Sequence, residues 1–432
     1  MLAGLILWAL LTPGAVWAGD SDGLSLKDCL KIAQERHPGL RSAEFAVASQ
    51  LSLVTQAQSA HYPQIAVAAT ANRTQDENLN SGELLERTDS YSPMNVTGQM
   101  LFYDFGRTRG TVAASRRDVV TAQENLHLKE AQVVLEVKTA YHEVLRTASA
   151  LSMTEASLQM RRKLLSLIAH AYQRGTRSKF DVSRAETDLE STRLDLVSAI
   201  SRLETARKRL LTAMGTPAAQ WRKLSGALEE HKIALDDPTV MQLTLRLRPE
   251  ILAGRARMES AEFKRRVALD QYLPTINFNG GYTLNRQLSP LPAAINTWQI
   301  GATASLNLFD GFNTPAGYRG AVARWESARQ DLAEVQQNVE FELNAALIAL
   351  REAQQRIDGS HKLLRSAEES LDLAVGQFEK GRGGIFDLID AQNQALRARL
   401  NLNDSLADTL NAEASLEKAV GAALEDMPRR QR

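Results

Sequence analysis

The chain has 432 residues, with 51 Lys+Arg against 51 Asp+Glu, so its formal charge is zero. Proteins that hold nucleic acid by neutralising phosphates carry a basic excess, and this one has none. Aromatics are only 6% of residues while Ala, Leu, Gln, Glu and Arg fill long tracts, a composition suited to extended helices rather than a thick globular core.

Residues 1–18, MLAGLILWALLTPGAVWA, carry no charge and end in Val16-Trp17-Ala18, which predicts a secretory signal peptide cleaved after Ala18. The apolar run is broken by Pro13 and Gly14 and is short for a spanning helix. An uncleaved N-terminal anchor is the alternative, because no Lys or Arg precedes the apolar core. No cysteine stands at the expected mature terminus, so no lipid anchor is expected there. The single cysteine, Cys29, excludes an intrachain disulfide and, among Leu26, Leu30 and Ala33, reads as a small buried apolar side chain.

A helix is predicted over 25–60, then a strand from Tyr62 to Asn72 with Ile65, Val67, Ala69 and Ala71 on one face. A second strand, Ser92 to Phe105, sets Met94, Val96, Gly98, Met100 and Phe102 against Asn95, Thr97 and Gln99. No Gly or Pro separates Gly110 from Gly175, so one helix can run unbroken for 64 residues, on the order of 100 Å at ~1.5 Å per residue. Helices over 181–214 and 239–271 flank a connector, 216–238, that holds Pro217, Gly226 and Pro238. A third strand, Thr275 to Leu284, places Ile276, Phe278, Gly280 and Tyr282 against Asn277 and Asn279. In the fourth, Trp298, Ile300, Ala302, Ala304, Leu306 and Leu308 alternate with Gln299, Thr303, Ser305 and Asn307. A second long helix, a turn and a helix over 387–421 complete the chain, with a tail at 422–432.

This order is a duplication, a first repeat over 19–215 and a second over 239–421. His37-Pro38 returns as Arg248-Pro249, and Gly175 with Phe180-Asp181 returns as Gly381 with Phe386-Asp387. Val137, Val144, Leu151, Leu158, Leu165 and Tyr172 recur every seven residues, as do Leu343, Leu350, Ile357, Leu364, Leu371 and Phe378. A seven-residue seam stays in contact only if helices supercoil left-handedly. The half-length helices 181–214 and 239–271 match a long helix when stacked, and 387–421 is expected to stack on 25–60. Period-two alternation over about ten residues marks a barrel strand between lipid and water, a half-buried soluble hairpin being the alternative. Four strands cannot close a conducting barrel, and open sheet edges are not tolerated in lipid. The expectation is therefore a trimer with twelve strands, with 73–92 and 285–297 as loops. The fold class is an α+β membrane protein whose β-barrel continues into a long α-helical coiled-coil barrel.

The motifs SLKDCLKIAQERHPGL (25–40), LFYDFGR (101–107), LFDGFN (308–313), YQRGTRSKFDVSRAE (172–186) and FEKGRGGIFDLIDAQ (378–392) resemble those of the TolC-like outer-membrane efflux family, over essentially all of 24–421. The resemblance implies a passive exit duct of a tripartite efflux or type I secretion system. It also implies a homotrimer in outer-membrane lipid, a periplasmic adaptor, and an inner-membrane transporter of RND or ABC type. It makes the tip residues Gly175, Thr176, Arg177, Ser178, Lys179, Gly381, Gly383 and Gly384 the adaptor-contacting surface. It assigns Asp387, Asp390, Asp181, Arg382 and Phe378 to a periplasmic aperture, where three-fold symmetry would gather the carboxylates of Asp387 and Asp390 into a cation-favouring ring. For Asp387, helix capping and gating stand side by side. Gly383 stands where the family often has arginine, with Arg382 one position earlier, and Phe378 lacks a hydroxyl the family often carries there.

No catalytic constellation is present in the sequence. The seven histidines are dispersed, without a metal-ligand pair and third ligand. Gly381, Gly383 and Gly384 lack the Lys-Ser/Thr of a phosphate loop, and no nucleophile elbow occurs. No enzyme, cofactor, metal site or nucleic-acid partner is expected. A periplasmic coiled-coil scaffold without a channel is the rival reading, which leaves the four alternating strands unexplained.

Overall fold

The computed structural model describes residues 23–76, 86–231, 233, 236–287, 293–424 and 427. The signal peptide expected at 1–18 and most of the 422–432 tail lie outside them. The chain runs α1 (Leu26–Arg36), α2 (Pro38–Gln58), β1 (Gln64–Asp76), β2 (Glu86–Tyr103), α3 (Arg107–Gln173) and α4 (Lys179–Ala213). Past a connector follow α5 (Asp237–Leu247), α6 (Pro249–Asp270), β3 (Thr275–Gln287), β4 (Ala293–Ser305), α7 (Asn313–Glu379) and α8 (Ile385–Val420). The two series match element by element. The offset is 211 from Leu26 to Asp237 and from Gln64 to Thr275, and 206 from Arg107 to Asn313 and from Lys179 to Ile385. The second hairpin is therefore shorter by five residues.

Both long helices contain 67 residues, and they begin by the same device. Asp104 accepts the Thr108 amide at 2.7 Å, and Asp310 accepts the Thr314 amide at 2.9 Å. Between acid and helix the backbone enters the left-handed region twice, at Phe105 and Gly106 in one repeat and Gly311 and Phe312 in the other. A phenylalanine with positive φ is strained, and the Asp–Thr lock holds it. The helices expected as single pieces over 25–60 and 239–271 are each broken in two. His37 and Arg248 precede prolines and take extended φ, ψ near −68°, 120° and −65°, 120°, because a following proline ring disfavours the helical region.

The strands form one antiparallel sheet in the order β1-β2-β3-β4. They reach into 73–92 and 285–297, expected as loops: β1 and β2 stay paired to Asp76↔Glu86 and β3 and β4 to Gln287↔Ala293. Backbone ladders are indifferent to side-chain polarity, so pairing continues where the apolar alternation fades. Leu306, Leu308 and Phe105 fall beyond the strand ends. One face carries exposed Ile65, Val67, Phe102, Trp298 and Ile300, with Phe102 edge-on to Phe278 at 4.9 Å. The other carries hydroxyl–amide pairs, Thr283 to Asn95 and Thr303 to Asn279, both at 3.1 Å.

Below the sheet the helices form a wall of four columns: α2 with α4, then α3, then α6 with α8, then α7. The expected stacking of 181–214 on 239–271, and of 387–421 on 25–60, is corrected here. The end of α4 abuts the start of α2, since a Cβ on Gly215 would stand 2.8 Å from the Arg36 carbonyl oxygen. The end of α8 abuts the start of α6, with Gly421 against Leu247 and Arg248. The four expected segments 25–60, 181–214, 239–271 and 387–421 are of similar length, so length alone could not choose partners. Two matching cores fill these junctions. Cys29, Val137, Val144, Leu210 and Met214 in the first repeat are answered by Val240, Leu343, Leu350, Leu416 and Val420 in the second. Cys29 is fully buried, as expected, and burial pushes its thiol up to about 12.

Candidate functional site

The sheet and the far ends of the helical hairpins are the two places where sequence assigned function, and the hairpin tips hold every assigned side chain. Each tip is a glycine-closed helix end followed at once by a capped start. Gly175 and Gly381 have φ of 75° and 68°, the left-handed conformation that ends helices at little cost only for glycine. The Thr176 amide reaches back to Ala171 at 3.0 Å, and the Arg382 amide to Gln377 at 2.9 Å. In the first tip Ser178 and Asp181 form a reciprocal capping box, at 3.1 and 3.2 Å. In the second, glycine at the cap position leaves only the return half, the Gly384 amide donating to Asp387 at 3.2 Å.

Asp181 and Asp387 are thus turned onto helix N-termini, where the backbone dipole favours a negative charge. The capping role weighed for Asp387 is the one a single chain displays. Asp390, one turn on, is exposed and accepts a hydrogen bond from Gln394 at 2.6 Å. A Cβ on Gly383 would lie 3.0 Å from the Phe378 amide nitrogen, so a side chain does not fit this tip without displacement. Arg382 and Lys179 are exposed.

The two tips are joined by rings and guanidinium groups. Arg177 lies over the half-buried Phe378 ring at 4.6 Å, and Arg184 over Phe386 at 5.3 Å. Phe180 and Phe386 lie 5.8 Å apart. Behind them Leu164, Ile168, Leu371, Ile385, Leu388 and Ile389 form a closed apolar core. Phe180, Arg184 and Phe386 were not singled out as site residues. Their signal was present, because Phe180-Asp181 and Phe386-Asp387 are duplicated. Asp387 and Asp390 from one chain form no ring.

Deeper in the wall, Arg161 is only 4% exposed and ion-pairs with Asp188. It also donates to Asn393 at 2.7 Å and to Ser157 at 3.3 Å, so α3, α4 and α8 meet on one guanidinium. Burial holds its pKa below the usual arginine value. Among the described residues no cluster of three or more metal-ligating side chains occurs, and no helix is long and apolar enough to cross a membrane.

The family model for the outer membrane efflux protein matches residues 29–216 and 240–422. The chain is 24% identical over 431 residues to the outer membrane efflux protein BepC of Brucella suis, spanning 98% of this chain and 91% of that protein. It is 23% identical over 428 residues to the outer membrane protein TolC of Vibrio cholerae, spanning 95% and 92%. Among solved structures, the outer membrane protein VceC from Vibrio cholerae superposes with a TM-score of 0.79 at 18% identity, covering 92% of this chain and 96% of that one.

Proposed function

Because the chain belongs to the outer membrane efflux protein family, whose members are outer-membrane channels and not enzymes, we propose that three copies close into one passive exit duct. Each copy would contribute four strands to a twelve-stranded barrel in lipid and one third of the periplasmic helical tunnel. The observation that carries this is the sheet order β1-β2-β3-β4, which leaves the outer edges of β1 and β4 unpaired. Such edges cannot face hydrocarbon and are satisfied by closure with neighbouring copies. The flanks of the wall support it. Phe341, Ile348 and Leu373 are exposed on α7, and Phe45, Leu194 and Val197 on the α2–α4 column at the other side.

In this reading residues 1–18 direct export, the repeats 19–215 and 239–421 build the duct, and 216–238 straps its outside. The tips meet a periplasmic adaptor through Thr176, Arg177, Ser178, Lys179 and the glycines of the second turn. An inner-membrane transporter of RND or ABC type supplies the energy. Asp387 and Asp390 from three copies ring the aperture, with Asp181 and Phe378 beside them and Arg382, Arg177 or Lys179 as weaker side locks. Capping fixes the Asp387 carboxylate in place, so capping and gating are one arrangement.

The test is planar-bilayer recording of the purified full-length protein and of Asp387→Ala and Asp390→Ala. Stepwise conductance, raised in both variants and freed from block by divalent cations, is the expected result. Unchanged conductance and block would remove the acids from the aperture. A water-soluble monomer that never conducts would overturn the duct.

A further inference from the structure

After α4 the connector packs beside α3 and lines a half-open cavity of about 570 Å³, within the roughly 300–1,000 Å³ of ligand pockets. Leu145 and Ala148 of α3 form its floor, Leu203 of α4 and Leu402 of α8 its walls, and Trp221 and Leu228 of the connector its roof. Three cations also line it, Arg207, Lys223 and Arg399, and among the described residues no carboxylate does.

Their states differ. Arg399 is satisfied by Glu368 at 2.8 Å. Arg207 pairs with Glu204 at 2.5 Å through one terminal nitrogen and lies over the Trp221 ring at 5.2 Å. Its second terminal nitrogen forms no ion pair among the described residues. Lys223 makes no ion pair among the described residues. An apolar pocket bordered by the Arg207 guanidinium, with the exposed ammonium of Lys223 at its mouth, has the charge and polarity of a receptor for an apolar body with one negative head.

We propose that this cavity binds a fatty-acid-like anion, an alkyl chain bearing a single carboxylate. The carboxylate accepts from Arg207 and Lys223, and the chain lies between the Trp221–Leu228 roof and the Leu145–Ala148 floor. Bound there, the ligand ties the connector to α3, α4 and α8. The inference does not depend on conductance or on the number of copies.

Trp221 itself supplies the readout. The full-length protein in nanodiscs, with Trp221 as its sole tryptophan, is titrated with dodecanoate brominated at the chain end, which quenches indole fluorescence only on contact. A companion that keeps only Trp298, exposed on the sheet, reports partition into lipid. Saturable quenching of Trp221, with a linear response from Trp298, is expected. Affinity falls at least ten-fold in Arg207→Gln/Lys223→Gln and in the filling variant Ala148→Phe, and brominated dodecanol does not saturate. Leu203→Phe replaces Ala148→Phe if the latter loses native gel mobility. The proposal is overturned if Trp221 follows Trp298 linearly, if the alcohol binds as well as the acid, or if natively folded variants keep full affinity.

Discussion

Phe180 and Phe386, each the second residue of its returning helix, pack with ring centroids 5.8 Å apart and tie the tips of the two repeats together. They are 63% and 51% exposed, so water takes back part of the attraction. A double-mutant cycle with Phe180→Ala and Phe386→Ala should give a coupling near the low end of about 0.5–1.5 kcal/mol. Hydrogen exchange of the amides in the first turns of α4 and α8 reads the opening free energies directly. Additive losses would mean that the rings act independently and that the tips are held by the apolar core behind them alone.

Four glycines close helices with positive φ, yet they should not respond alike to alanine. Gly175 and Gly381 have nothing within 4 Å of a built Cβ, so alanine there costs only the left-handed backbone, about 1–2 kcal/mol. At Gly215 the same methyl would stand 2.8 Å from both the Arg36 carbonyl oxygen and the His37 Cα. At Gly421 the nearest atom is the Leu247 carbonyl oxygen at 3.5 Å. Denaturation of the four single variants should therefore rank Gly215→Ala clearly most damaging, with the other three close together. An equal loss at Gly421 would show that the two junctions are packed alike.

The acids that start the long helices make stability fall in acid. Burial opposes ionisation of Asp104, but hydrogen bonds from the Thr108 hydroxyl and amide and from the Gly106 amide bring its pKa below the ordinary 3.8. Asp310, half-buried, is lowered first by the Thr314 hydroxyl. A carboxylate with a depressed native pKa contributes stability that is complete above its unfolded pKa, near 3.9, and is lost as pH falls through the native value. Thermal melts followed by circular dichroism from pH 7 downward should show Asp104→Asn weaker by about 1 kcal/mol at neutral pH. That gap should narrow as the pH falls below 3.8 and through the depressed native pKa. A gap that persists in acid would assign the loss to altered packing instead.

How much of this was legible follows from the kind of signal each feature leaves. Duplication, seams and strand faces are periodic, so Val137 and Leu343, or Trp298 and Ile300, declare themselves by spacing. Stacking partners are not periodic. Tertiary contacts such as those of Gly215 with His37 and Gly421 with Arg248 reveal that α4 continues into α2 and α8 into α6. The capping of Asp181 was readable, because serine three residues before an acid is a local motif. Asp387 caps from a glycine start and leaves half that signature. Arg161 was invisible for a different reason. Ala367 holds its place in the second repeat, and its partners Asp188 and Asn393 come from two other helices.

That unduplicated arginine allows the sharpest stability test. Arg161 is buried, ion-paired with Asp188 and hydrogen-bonded to Asn393, so removing one partner leaves a charge away from water. Asp188→Ala should cost on the order of 3–5 kcal/mol, whereas Asn393→Ala, which keeps the ion pair, should cost about 1 kcal/mol. Replacing the pair together, Arg161→Met with Asp188→Leu, should recover most of the loss, because methionine can fill the channel between α3, α4 and α8 without a charge to satisfy. Denaturant unfolding of the four proteins at one pH decides it. If the double variant is as weak as Asp188→Ala, the guanidinium is needed for the shape of the three-helix junction, and its charge is not what the junction was built to neutralise.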